Sequence, residues 1–226
     1  MNVLVLAAHP DDEVLGCGGT MARLADEGHD VHIAILGEGI TSRYTQREEA
    51  DTGQIDALHS DSQKVADLLG AKSLKMFSLP DNRFDSVPLL DIIKIVEGLV
   101  EELQPEVVYT QHGGDLNVDH VQLYRATLTA TRPMEGCPVK ALYAYEVASS
   151  SEWAFQKFEP AFRPNVFNDI TTTLEKKVQA MELYESEARP FPHPRSPEAL
   201  RAQARRWGST VGLGAAEAFD LVRQVQ

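Results

Sequence analysis

Cysteine is nearly absent from this chain. There are two in 226 residues, Cys17 and Cys137, with no short spacing between them. That leaves no cysteine-based zinc site and no disulfide framework, and two thiols in a chain of this size are expected to be reduced and buried. No apolar stretch approaches the ~20 residues needed to span a bilayer. The opening "MNVLVLAAHPDD" has neither the basic start nor the long apolar core of a signal peptide, so a soluble cytoplasmic protein is expected. Basic charge is also scarce: 21 Lys and Arg stand against 34 Asp and Glu, a net charge of −13. Nucleic acid and anionic membranes are therefore poor candidate partners. Internal repeats and low-complexity tails are missing as well. What is present is a 43% hydrophobic chain, enough to bury a sizeable core. It reads as one domain with a C-terminal extension from about residue 150, and a homo-oligomer is compatible with it.

The apolar pattern alternates between two periods. Residues 2–8, "NVLVLAA", read as a buried strand, and 18–28 as a helix closed by Gly28. Residues 29–36 form a second strand with Val31, Ile33 and Ile35 on one face. A polar helix or helix pair spans roughly 45–70, and 73–79 is a third strand. The best amphipathic helix is 88–105, ahead of a fourth strand at 106–111. A helix at 118–132 and a strand at 139–147 complete the alternation. This predicts an α/β fold, Rossmann-like, with a mostly parallel sheet and helices on both faces. Beyond residue 150 the chain is rich in aromatics and prolines. Helix returns at 173–188, "RPFPHPRSP" (189–197) is a proline-broken loop, and one or two helices end the chain.

The first strand runs directly into "HPDDE" (9–13), a histidine and three adjacent carboxylates. Like charges at that spacing repel, so the arrangement costs stability unless something offsets it. A divalent cation is the obvious candidate. A second cluster, "QHGGDLNVDHVQ" (111–122), follows the fourth strand. In the common strand order 3-2-1-4-5, strands 1 and 4 are neighbours at the switch point, where ligands bind outside the carboxyl ends of the strands. His9, Asp12 and His120 then supply two imidazoles and one carboxylate. That set suits Zn²⁺ with one position open for water, and it also suits Fe²⁺ or Co²⁺. Of the adjacent aspartates, one can face the metal and the other the substrate, where it can act as general base. Asp119 reads either as a helix cap or as a partner that orients a histidine. The bland alternative makes "DDE" a helix cap favoured by the helix dipole.

A nucleotide cofactor fits poorly. With Gly16 and Gly18 as the first glycines of G-x-G-x-x-G, the third would fall at Met21. Asp11, Asp12 and Glu13 also occupy the turn where a pyrophosphate would lie. The glycines are better read as letting the helix approach the sheet closely.

Taken together, "AHPDDEVLGCGGTMARLADEGHDV" and "HGGDLNVDH" resemble the PIG-L or LmbE-like metal-dependent N-deacetylases. The stretch "ELYESEARPFPHPRSPEALRAQARRWGSTVGLGAAEAF" (182–219) is similar to bacterial members. The resemblance implies deacetylation of an N-acetylated amino sugar or sugar conjugate, a small-molecule substrate. It assigns His9, Asp12 and His120 as metal ligands and Asp11 as general base. Asp119 matches a position that helps orient catalytic groups, Asp81 a sugar-contacting acid, and Arg47 a substrate-binding arginine. One position departs from the pattern. Several members carry histidine where this chain has Asn117, and asparagine can donate to an oxyanion but cannot deliver a proton. His112 and His193 are the candidate substitutes. The rival readings are a metal-dependent amidase acting on another sugar or thiol conjugate, and a metal-binding member without turnover.

Overall fold

A computed structural model describes all residues from 1 to 226. The chain alternates β1 (Asn2–Ala7), α1 (Asp12–Asp26), β2 (Asp30–Gly37), α2 (Thr52–Leu69), β3 (Ser73–Leu79), α3 (Leu89–Leu103), β4 (Val107–Gln111), α4 (Val118–Ala130) and β5 (Ala141–Tyr145). It then adds β6 (Val166–Asp169), α5 (Leu174–Leu183), α6 (Pro197–Val211) and β7 (Ala216–Gln224). One seven-stranded sheet results, in the order β3-β2-β1-β4-β5-β7-β6. The first five strands are parallel, and β7 runs antiparallel to both β5 and β6.

The strands alternate side chains between two cores, as the pleat requires. Val3, Val5, Val31, Ile33 and Ile35 enter one core, built with α1, α2 and α5. Leu4, Leu6, Ala34 and Leu36 enter the other, under α3 and α4. Both faces of β1 and β2 are buried, which explains their near-continuous apolar runs. Cys17 and Cys137 are free thiols.

The structure departs from the sequence pattern in one helix boundary and two strands. Helix α1 begins at Asp12, not 18, so the "GCGG" glycines lie within it. A Cβ on Gly16 would sit 2.0 Å from Tyr145 Cδ2 on β5, so only glycine permits this approach of helix to sheet. The segment after α6, expected as helix, is strand β7, and β6 was not anticipated. Both strands form on the edge that β5 leaves open, a long-range pairing that local periodicity does not encode. The carboxylate of Glu217 on β7 accepts from the backbone N–H of Gly19 and Thr20 and from Lys177 Nζ, tying β7 and α5 to α1.

Candidate metal centre and active-site cavity

β1 and β4 are hydrogen-bonded neighbours, with Val3 opposite Val107 and Val5 opposite Tyr109. Their carboxyl ends therefore deliver "HPDDE" and "DLNVDH" to one crevice. The crevice opens into a cavity of about 600 Å³ lined by both clusters and by Glu187, Arg189, His193 and Arg195. That volume suits a small organic ligand.

His9, Asp12 and His120 bring their ligand atoms within 4.8 Å of one another. Asp12 Oδ2 lies 3.4 Å from His9 Nδ1 and 3.2 Å from His120 Nε2. Each histidine has a carboxylate on its far side. His9 Nε2 donates to Asp119 Oδ2 at 2.8 Å, and His120 Nδ1 lies 3.3 Å from Asp115 Oδ1. The Asp115 carboxylate is itself fixed by the hydroxyls of Ser150 and Ser151 and by Asn117 N–H. The bond to Asp119 leaves the inward nitrogen of His9, Nδ1, as a lone-pair donor, and His120 Nε2 points inward beside Asp12.

The electrostatics favour positive charge at this point. The His9 pKa is raised well above its ordinary value: burial opposes protonation, but the hydrogen bond to Asp119 and the contacts with Asp12 outweigh it. The His120 pKa is pushed up to about 9, with burial overcome by Asp12 and Asp115. Asp12 is held well below the usual carboxylate range, because the two histidines outweigh its burial. Both ring nitrogens of His120 are buried with no hydrogen-bond partner, and Nε2 faces Asp12. A buried, orphaned imidazole nitrogen beside an ionised carboxylate fits a divalent cation, so these residues match the metal that the motif implies.

Asp11 behaves differently from Asp12. It occupies the N-cap position of α1 at φ 106°, in the left-handed region, yet its side chain makes no cap hydrogen bond. The carboxylate is buried and accepts from Arg195 Nη1 at 2.6 Å through Oδ2. Its pKa stands well above the ordinary value: burial raises it, and Arg195 offsets only part of the rise. A helix cap does not account for this group, since the side chain turns away from the helix.

The remaining predicted residues divide. Asp81, Asn117 and His193 line the cavity. Asp81 accepts from Ser42 N–H, and its other oxygen lies 3.2 Å from His9 Nε2. Asn117 caps α4 through its oxygen and donates to Asn82 Oδ1. The His193 ring meets Trp153 edge-on at 5.6 Å. His112 and Arg47 are not brought to the cavity. His112 packs on Phe162, with its Nδ1 accepting from Gly114 N–H. Arg47 forms a two-pronged pair with Glu38 at 2.7 and 2.6 Å. Sequence reasoning missed Arg195, Glu187 and Arg43, which form a chain of ion pairs along the cavity wall. It also missed Glu13 and Tyr184, whose 2.6 Å hydrogen bond underlies Asp11. The only local signal near Arg195 is "SPEA", whose Ser196 caps α6 and whose Pro197 starts it.

The profile of the family described as "PIG-L: GlcNAc-PI de-N-acetylase" matches residues 4–131. The chain is 28% identical to the uncharacterized deacetylase YaiS of Escherichia coli over 174 residues, covering 75% of this chain and 82% of that protein. It is 27% identical to 4-oxalmesaconate hydratase of Pseudomonas putida over 196 residues, covering 80% and 72%. In fold it is similar to the N,N'-diacetylchitobiose deacetylase of Pyrococcus horikoshii. The TM-score is 0.78 at 20% identity, over 98% of this chain and 84% of that one.

Proposed function

The chain belongs to the PIG-L family, and from that premise we propose that it is a zinc-dependent hydrolase removing the acetyl group from an N-acetylated amino sugar or sugar conjugate. One observation carries the reading. Three ligand atoms from the two clusters converge beside Asp11, a buried carboxylate left outside the ligand group, and all of them line one cavity. A zinc ion held by His9, Asp12 and His120 supplies a Lewis acid that makes water acidic and an amide carbonyl electrophilic; Fe²⁺ or Co²⁺ suits the same ligands.

The residues then divide the work. Asp11 accepts a proton from water as its oxygen bonds to the acetyl carbon. It returns that proton to the nitrogen as the carbon–nitrogen bond breaks, leaving acetate and a free amine. Asn117 Nδ2 is a neutral donor at the cavity wall, suited to an oxyanion. Asp119 holds the His9 tautomer, and the Asp115 carboxylate lies beside His120 Nδ1. Asp81 and His193 are placed to contact the sugar.

A screen of N-acetyl sugars and their glycosides for acetate and free amine, with and without zinc, tests the reading. A second reading is favoured by the Pseudomonas putida relative, a hydratase by name. Addition of water without cleavage forms neither amine nor acetate, so the same screen separates the two.

A further inference from the structure

The family profile ends at residue 131, yet the side chain that holds Asp11 comes from residue 195. Asp11 Oδ2 is occupied by Arg195 Nη1 at 2.6 Å, while Asp11 Oδ1 makes no hydrogen bond and belongs to a residue lining the cavity. Arg195 is held from several sides. Its Nε donates to Ser149 Oγ at 2.8 Å, and Nη1 also reaches Glu187 Oε2 at 3.1 Å. Glu187 is clamped in turn by Arg43 Nη2, at 2.5 and 2.7 Å to its two oxygens. The backbone is fixed as well. Arg195 N–H donates to His193 Nδ1, and the next residue, Ser196, caps α6. Below Asp11, Glu13 Oε2 accepts the Asp11 N–H at 3.1 Å, and Tyr184 holds the other Glu13 oxygen.

The geometry points to Arg195 as a positioning residue of the reaction. It pins one oxygen of Asp11 so that the other alone faces the attacking water, and the Ser149–Glu187–Arg43 brace keeps it there. A carboxylate free to rotate beside Asp12 presents either oxygen to the cavity or swings toward the metal ligands, and each departure from the productive angle slows proton transfer. The role rests on the deacetylase reading, in which Asp11 is the base. It makes Glu187 and Arg195, both beyond the family profile, part of what positions the base.

The test uses full-length zinc-loaded enzyme and three variants: Arg195→Met, Arg195→Lys and Glu187→Gln. For Arg195→Met, kcat is expected to fall roughly 10²-fold, within the range of general-base catalysis, with KM within a few-fold and metal content unchanged. Lysine at 195 recovers part of the rate. Methylguanidinium added to Arg195→Ala, a fourth variant whose short side chain leaves room for it, restores part of kcat with KM unchanged, whereas methylammonium, which lacks the planar fork, restores less. Should Arg195→Met fail to fold, Glu187→Gln decides the matter, with kcat expected to fall about tenfold through a loosened brace. The proposal is overturned if kcat of the folded Arg195→Met, or of Glu187→Gln in its place, stays within threefold of wild type, or if the loss tracks metal loss. A wild type that releases no acetate removes the deacetylase reading and this role together. An active wild type with an indifferent Arg195 removes this role alone.

Discussion

His9 Nε2 donates to Asp119 Oδ2 at 2.8 Å, while the other oxygen of Asp119 accepts from Phe84 N–H at 2.8 Å. Asp119 is therefore locked from behind and fixes the His9 tautomer, with the proton on Nε2 and the lone pair on Nδ1. Asparagine at 119 can keep the bond to Phe84 only by turning its NH₂ toward His9. That reverses the tautomer and points an N–H at the metal position. Asp119→Asn is expected to weaken zinc binding about 10–100-fold, measured by competition with a chelator. Unchanged affinity would show that Asp119 does not set the tautomer.

The adjacent aspartates should separate cleanly. Asp12→Asn replaces a charged ligand by a neutral one, so metal content and activity should fall together. Asp11→Asn keeps shape and metal but cannot take a proton, and its turnover should drop roughly 10²–10⁴-fold, or about 3–5 kcal/mol of barrier. Metal content and kcat, measured on both variants under the same conditions, check this. Metal loss from Asp11→Asn with retention in Asp12→Asn would exchange the roles.

These two predictions rest on residues that the sequence itself exposes. The clusters "HPDDE" and "DLNVDH" are contiguous and lie directly after strands, so strand order alone brings them together, and β1 and β4 do adjoin. Less visible was anything held by long-range pairing. Arg195 meets Asp11 across 184 positions, and nothing in "HPRSP" distinguishes a half-buried, paired arginine from a solvated one. The "AEAFDLVRQ" stretch reads as helix because its alanines and leucine carry no strand signal; the open edge of β5 makes it a strand. His112, a candidate substitute for the oxyanion histidine, follows β4 with its ring turned onto Phe162, outside the cavity lining.

The buried pair of Lys177 Nζ and Glu217 Oε1, at 2.6 Å, anchors the C-terminal part to α1. Both side chains are almost fully buried. Removing one charge strands the other, so Glu217→Gln is expected to cost about 3–5 kcal/mol of unfolding free energy in urea denaturation. A loss below about 1 kcal/mol would mean that the pair is replaceable by neutral hydrogen bonds.

Glu146 gives a pH signature away from the metal. Burial holds its carboxyl above the ordinary value of 4.5, against a lowering hydrogen bond from Trp207 Nε1 at 2.5 Å. The folded state therefore binds this proton more tightly than the unfolded chain. Its ionisation costs stability, and the loss sets in as pH rises from the ordinary value through the folded one. Glu146→Gln keeps an acceptor for Trp207 and removes the charge. It should melt higher than wild type near neutral pH, with the gain vanishing in acid below 4.5. A gain that persists there would indicate better packing instead.

The most direct test is a zinc titration of chelated, full-length protein with an N-acetylglucosamine glycoside, following acetate and free amine together. Both products are expected to appear in equal amounts, rising with zinc to a plateau at about one equivalent per chain, as a single three-residue site requires. Full activity in the chelated protein, or turnover that yields no amine, would contradict the account.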